Sequence, residues 1–217
     1  MDKNKIINKT AKYIKAKMSG ESTGHDWWHV YRVWQISKKI AKSEKADLFI
    51  VEMGALLHDI ADYKFHKGDD KKGGQEAEKL LAKLAVDKDN IEKIIHIIDN
   101  ISFKGAGVKE KMKSLEGKIV QDADRLDAIG AIGVARAVAT GQKFERPIYD
   151  PSIKPKTHKT FKSYKNKNGT TINQFYEKLL LLKNRMNTKT GKKLAESRHR
   201  FMETFLKEFF QEWDGKK

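Results

Sequence analysis

Side chains that can bind a metal ion occur in three separate parts of the chain, each time on a face that is otherwise apolar. They are His29, the neighbouring pair His58-Asp59, and Asp124. His29, His58 and Asp124 each lie on a stripe with helical spacing, and Asp59 follows His58 directly. The three stripes are His29, Val33, Ile36 and Ile40; Val51, Ala55, His58 and Asp62; and Val120, Asp124, Asp127 and Ala131. Burying these polar groups without partners would cost several kcal/mol, so the pattern predicts one divalent cation that they share.

The chemistry of the donors restricts the ion. Two imidazoles and two carboxylates suit Mn²⁺, Fe, Ni, Co, Zn or Mg²⁺ better than a soft ion. We expect one ion per chain and favour Mn²⁺. Four protein ligands leave positions for water and for a substrate oxygen. Such an ion lowers the pKa of bound water, which makes the water a better nucleophile, and neutralises charge on a phosphoryl group.

Each of these residues has a simpler interpretation when it is taken alone. A single histidine on an apolar face is usually a hydrogen-bonded core residue. Asp59 could accept an interior hydrogen bond, and Asp124 could pair with Arg125 or Arg32. The occurrence of all four residues on three predicted helices favours a metal site over four unrelated core residues.

The order of these residues resembles the HD superfamily of metal-dependent phosphohydrolases, whose pattern is H…HD…D on an all-helical domain. Here the pattern is His29, then His58-Asp59, then Asp124. The flanking segments 24–33 and 101–105 are similar to those of a bacterial subgroup that includes proteins hydrolysing nucleotide pyrophosphates. The resemblance extends over most of the chain, and it implies the fold and the metal.

The resemblance also bears on the neighbouring acidic residues. Asp122 and Asp127 compete with Asp124 for the last ligand position, and the family pattern of an Asp before Arg-x-Asp matches Asp124. Asp127 would then touch the substrate or support a ligand. An acidic residue near position 62 in several HD nucleotidases implies that Asp62 is a base or a water-orienting group. Its alternative is a surface carboxylate at a helix end.

Further histidines accompany the predicted site. We expect His25 to lie at its rim, because it does not share the apolar stripe of His29. Superfamily members with two metals add several histidines between the dyad and the last Asp. Here His66 and His96 lie in that interval without forming a His-His pair, so a single metal is favoured. His96 is a residual second-site ligand, a substrate contact or a core histidine, and the last is favoured.

Phosphate groups require cationic partners. Lys104 is the first candidate, and Lys64, Lys67 and Lys71 are further ones. Arg32 is also a candidate, because it lies one helical turn after His29. The amides of Gly73-Gly74 would open a helix and could hold an anion. A segment with many lysines could close over a polyphosphate tail. Its members are Lys154, Lys156, Lys159, Lys162, Lys165 and Lys167.

These features favour a metal-dependent phosphohydrolase that acts on nucleotides, with (deoxy)nucleoside triphosphates as the first candidates and pyrophosphate as a product. One alternative acts on another phosphoester: a nucleoside monophosphate, a cyclic nucleotide or an alarmone. A second is a basic nucleic-acid-binding protein in which the His/Asp cluster is structural. A third is a metal-binding protein without turnover.

Helices must position these residues, because helical periodicity dominates the chain. We predict an all-α bundle forming a single domain over residues 1–217, with a core at about 20–140, a loop at 141–171 that holds all three prolines, and C-terminal helices at 172–214. Short strands are conceivable near 144–149 and 160–164. The predicted helices cover 2–18, 27–46, 48–61, 73–86, 90–101, 119–140, 172–186 and 190–213, with Asp26 and Asp47 as N-caps.

Composition excludes other classes. The 217 residues contain no Cys, which excludes disulfide scaffolds and thiolate zinc sites. The N-terminus leads into no apolar segment and no stretch is long enough to span a bilayer, so we expect a cytoplasmic protein without a membrane partner. The net charge of +16 attracts anions, but the sequence has no zinc-finger, RRM-like or basic-zipper pattern, so nucleic acid is not the favoured partner. The apolar face of the last helix would suit a homodimer.

Overall fold

The structure of this chain is a computed structural model that describes residues 2–20, 24–61, 71–160 and 169–217. Within these ranges the regular structure is helical and contains no strand, which confirms the predicted all-α class. The chain divides into two compact units. The first comprises Met1–Phe103 and Lys109–Asp124, and the second comprises Lys104–Val108 and Arg125–Lys217.

Five helices and most of a sixth build the first unit. They are α1 (Lys3–Lys17), α2 (Trp27–Glu44), α3 (Leu48–Leu57), α4 (Lys72–Lys83), α5 (Lys88–Asn100) and α6 (Leu115–Asp127). An aspartate begins four of them: the side chains of Asp2, Asp26, Asp47 and Asp87 accept hydrogen bonds from backbone N–H groups of the first turn. Such caps satisfy amides that have no partner inside the helix, and the predicted caps at Asp26 and Asp47 are confirmed.

Helix α3 forms the centre of this unit. Residues from Phe49 to Leu57 are buried apart from Glu52, and helices α1, α2 and α5 all pack on α3. Gly54 permits the approach of α5, because a Cβ at that position would lie 3.1 Å from Ile97. The end of α3 is therefore fixed on several sides, which matters because His58-Asp59 follows directly.

The second unit contains the C-terminal helices. They are α7 (Gly130–Lys143), α8 (Asn173–Glu177) and α9 (Lys189–Trp213), with two 3₁₀ turns at Leu179–Leu181 and Lys183–Arg185. Helix α9 packs on α7. Aromatic contacts join α9 to the preceding segments: Phe205 stacks on Phe175 at 5.6 Å between ring centroids, and Tyr149 meets the Trp213 ring edge-on at 4.9 Å.

The prediction of one long helix over 119–140 is wrong. The chain leaves the helix after Asp127 and starts α7 at Gly130, whose φ of +78° is unfavourable for residues with a Cβ. A Cβ at Gly130 would lie 3.0 Å from the side chain of Arg198, which is too close, and the guanidinium of Arg198 donates to the carbonyl of Leu126. A side chain thus satisfies a carbonyl that a continuing helix would have used. Ala131 consequently lies on α7, whereas Asp124 and Asp127 are three residues apart on α6.

Other boundaries also differ from the prediction. The region 172–186 is a short helix and two 3₁₀ turns rather than one helix, and α3 ends at Leu57 instead of continuing to Ala61. Residues 58–61 form a turn, with an i→i+3 hydrogen bond from Ile60 N to Leu57 O of 3.1 Å. Residues 144–149 form no strand, and 161–164 lie outside the described residues.

No helix in the described parts of the chain has both the length and the apolar composition to cross a membrane.

Candidate metal centre

His29 enters the centre from the first turn of α2. The Asp26 carboxylate accepts a hydrogen bond from His29 N at 2.9 Å, which fixes the start of the helix and the direction of the histidine. The imidazole is fully buried. Its ring meets the ring of His25 edge-on, with 6.0 Å between centroids, so His25 lies beside the centre as predicted from the sequence.

His58 and Asp59 enter from the turn at the end of α3. The Nδ1 of His58 lies 2.8 Å from the carbonyl oxygen of Ala55. A carbonyl only accepts, so Nδ1 carries the proton and Nε2 keeps its lone pair for a metal. Ala55 lies three positions before His58 in the sequence. Its carbonyl can accept from the histidine only because α3 ends at Leu57, and the sequence does not predict that end.

The ligand atoms of these residues converge. His29 Nε2 lies 3.1 Å from His58 Nε2 and 3.3 Å from Asp59 Oδ2, and His58 Nε2 lies 3.5 Å from the same oxygen. These three atoms all lie within 4.8 Å of one another. Asp124, from α6, places Oδ1 3.5 Å from His29 Nε2. Asp124 lies beside the group of three rather than within it.

This arrangement fits a divalent ion. Donors about 2.1 Å from one ion lie about 3.0 Å apart at neighbouring octahedral positions and about 3.4 Å apart at tetrahedral positions, and the four measured distances fall close to that range. Two nitrogens and two carboxylate oxygens suit a borderline or hard cation. Two imidazole nitrogens in contact are also an unfavourable pair when both keep a lone pair, and a shared cation removes that conflict.

The charge of Asp59 is stabilised by its surroundings. Burial raises the pKa of this carboxyl, but its interactions with the neighbouring imidazoles of His58, His29 and His25 together hold the pKa well below its usual value. The carboxylate therefore stays ionised, which is the form that binds a cation. Asp59 is also the less exposed of the two acidic side chains, at 15% against 30% for Asp124.

The neighbouring acidic residues of α6 have different surroundings. Asp122 is fully buried, two residues before Asp124 and hence on another side of the helix. Asp127 is also buried, and its Oδ2 accepts a hydrogen bond from Arg136 Nη1 at 3.0 Å in the second unit. Sequence reasoning missed Arg136, because this pair exists only where the chain turns between α6 and α7.

The predicted phosphate-binding residues are placed as follows. Arg32 is half-buried on α2, three residues after His29. Lys104 is half-buried and belongs to the second unit, and Lys71 is exposed directly before α4. The suggested anion site at Gly73-Gly74 is unfavourable, because the Asp99 carboxylate lies against Gly74, where a Cβ would be 2.6 Å from its oxygen.

Several predicted residues lie outside the described ranges. These are Asp62, Lys64, Lys67, His66, Lys162, Lys165 and Lys167. His96 is half-buried on α5, with its Nδ1 3.3 Å from the Asn100 amide nitrogen. Among the described residues, His29, His58 and Asp59 form the one close group of at least three potential metal ligands.

The chain is similar to known proteins over nearly its whole length. The HD domain family matches residues 27–129. A crystal structure from Lactobacillus plantarum superposes with a TM-score of 0.89 at 38% sequence identity. The superposition covers 99% of this chain and 100% of that chain. A crystal structure of an HD-superfamily hydrolase from Bacillus thuringiensis gives a TM-score of 0.74 at 39% identity, with 98% of this chain and 99% of that chain covered.

A third relative is the uncharacterized protein YpgQ of Bacillus subtilis, which is 40% identical over 94% of this chain and 91% of its own. The crystal structure of YpgQ in complex with ADP superposes with a TM-score of 0.76, at 33% identity in that superposition, over 98% and 97% of the two chains.

The fold, the His/Asp centre and these similarities define the class. The chain belongs to the HD superfamily and is a metal-dependent hydrolase of that class.

Proposed function

We propose that this hydrolase acts on nucleotides, with (deoxy)nucleoside triphosphates as substrates and pyrophosphate as a product. The observation that carries the proposal is the convergence of His29, His58, Asp59 and Asp124, which can hold one divalent ion, Mn²⁺ being favoured. The ADP complex of the related YpgQ supports a nucleotide as the ligand.

The four residues would hold the ion, and each contributes a defined property. Bound there, the ion supplies Lewis acidity towards a phosphoryl oxygen and lowers the pKa of a coordinated water. His58 presents Nε2 because its Nδ1 proton is committed to the Ala55 carbonyl. The low pKa of Asp59 keeps a negative charge at the centre without help from bulk solvent.

The reaction needs further groups around phosphorus. A P–O bond forms between a water oxygen and the α-phosphorus, the bond to the bridging oxygen breaks, and pyrophosphate leaves with that electron pair. Arg32, one turn after His29, is proposed to neutralise phosphate charge, and Lys104 is proposed for the same task. Asp62 is proposed to accept the water proton, with Asp127 contacting substrate or supporting the ligands.

The test is a panel of nucleoside triphosphates, monophosphates, cyclic nucleotides and other phosphoesters, assayed with Mn²⁺, Mg²⁺, Co²⁺ or Ni²⁺ for both phosphate and pyrophosphate. We expect pyrophosphate from triphosphates, and loss of product with a chelator. His58→Ala and Asp124→Ala should lose bound metal and turnover together.

The matched control is His199→Ala, which removes a buried histidine from α9 in the second unit. This variant should keep both metal and activity if circular dichroism shows that it is folded. Absence of product from every compound with every metal would refute the proposal. Salt-dependent binding of nucleic acid that survives His58→Ala would favour the basic binding protein instead.

A further inference from the structure

Helix α2 presents a row of aromatic rings next to the metal centre. Tyr31 contacts three tryptophans, with centroid distances of 6.1 Å to Trp27, 5.9 Å to Trp28 and 6.3 Å to Trp34. Trp34 is held from the other side by its hydrogen bond to Glu52, at 2.7 Å, which anchors the row to α3. Rings supported in this way lose little rotational freedom when something stacks on them.

The outer members of the row remain in contact with solvent. Trp28 is 58% exposed and Tyr31 is 39% exposed. The two rings meet edge-on, with an interplanar angle of 83°. An edge-to-face contact covers at most one face of either ring, so ring surface of Trp28 remains available for stacking.

The helix geometry connects this surface to the metal centre. Trp28 and His29 are consecutive, so their side chains leave the helix about 100° apart. Arg32 lies at i+4 from Trp28 and at i+3 from His29, and therefore stands between them on the helix surface. Going round α2, the order is an exposed aromatic ring, a guanidinium and a metal ligand.

We infer that Trp28 is a stacking platform for the base of a nucleotide whose phosphates lie at Arg32 and the metal centre. This inference rests on the proposed function and extends it to substrate recognition. The order of ring, cation and metal ligand matches the order of base and phosphates in a nucleotide. Every nucleobase has a π-face, so recognition through Trp28 favours nucleotides over phosphates that lack a base and discriminates weakly among bases.

The test compares Trp28→Ala and Trp28→Phe with the wild-type protein. For nucleoside triphosphates, Trp28→Ala should raise KM about tenfold, the size expected for loss of one stacked base, while kcat changes little. Trp28→Phe should restore most of the affinity. For inorganic tripolyphosphate, which has no base, kcat/KM should be the same in all three proteins.

A binding measurement gives a readout independent of turnover. ADP should quench tryptophan fluorescence of the wild-type protein more strongly than that of Trp28→Phe, and pyrophosphate should show no such difference. Tyr13→Ala is the control, because Tyr13 is a comparably exposed aromatic residue, at 45%, on α1. This variant should behave like the wild-type protein.

The outcomes separate the two claims. A wild-type protein that hydrolyses no phosphate compound would overturn the proposed function. A wild-type protein that hydrolyses nucleotides, combined with an unchanged KM in Trp28→Ala, would overturn only the stacking platform. If Trp28→Ala lowered kcat/KM for tripolyphosphate as much as for nucleotides, Trp28 would have a structural role, and the stacking platform would again be overturned.

Discussion

The two acidic residues of the proposed metal centre, Asp59 and Asp124, differ in how close they lie to the histidines. Asp59 Oδ2 lies within 3.5 Å of both histidine Nε2 atoms, whereas Asp124 lies beside the group, 3.5 Å from His29. Asp59 is also less exposed, so water screens its charge less. Asp59 should therefore contribute more to the affinity for the ion than Asp124.

A pair of isosteric variants tests this order. Asp59→Asn should weaken Mn²⁺ binding by more than about tenfold, the lower end of the cost of losing even an outer partner of a metal ligand. Asp124→Asn should weaken it less, and Asp89→Asn, which changes an exposed carboxylate on α5, should have no effect. Calorimetric titration measures all three, and equal losses for Asp59→Asn and Asp124→Asn would contradict the difference.

At the scale of single residues, the sequence indicated which side chains would meet because their stripes were otherwise apolar. Such stripes face inward wherever the helices lie, so His29, His58 and Asp124 had to approach one core. The pairing of Asp127 with Arg136 was not predictable in this way. This pairing depends on the change of chain direction between α6 and α7, which helical periodicity does not predict.

Among the elements, the break between α6 and α7 has the clearest cause. Gly130 adopts a φ of +78°, and a Cβ there would lie only 3.0 Å from Arg198. The sequence at 119–140 keeps helical spacing throughout, which favours one continuous helix. The Arg198 side chain that donates to the Leu126 carbonyl comes from α9, about seventy residues later, so a local sequence pattern cannot predict this contact.

Gly130→Ala should lower the free energy of unfolding by about 1–3 kcal/mol, because the alanine is strained at this φ and a Cβ would lie 3.0 Å from Arg198. The control is Gly20→Ala, at a φ of +88° with no atom within 4 Å of the added Cβ. Gly20→Ala introduces the backbone strain without a close contact, so it should lower the free energy of unfolding by less than Gly130→Ala does. Denaturant unfolding measures both, and a Gly130→Ala protein as stable as the wild type would contradict the explanation.

For the whole molecule, the balance of 45 basic against 29 acidic residues acts on any polyanionic substrate. Long-range attraction between a protein of net charge +16 and a triphosphate raises the encounter rate and is screened by salt. The fold class followed from the helical periodicity of the whole chain. The division into two compact units did not, because it depends on which helices pack together.

Raising the ionic strength from about 0.05 to 0.5 M shortens the screening length severalfold. We expect KM for a nucleoside triphosphate to rise several-fold over this range, with kcat nearly constant. Steady-state kinetics in KCl checks this, and an unchanged melting temperature over the same range excludes unfolding as the cause. A KM independent of salt would show that distant charges do not assist binding.

The proposed metal centre takes its side chains from α2, from the turn after α3, and from α6, which lie far apart along the polypeptide. An ion held by all three elements would cross-link them reversibly. Because the ion would bind only the folded protein, it would raise the melting temperature of the first unit. Removal of the ion would weaken the attachment of α6 to the other two elements and would also stop catalysis. The metal supply of the cell would then influence the lifetime of the folded enzyme as well as its turnover rate.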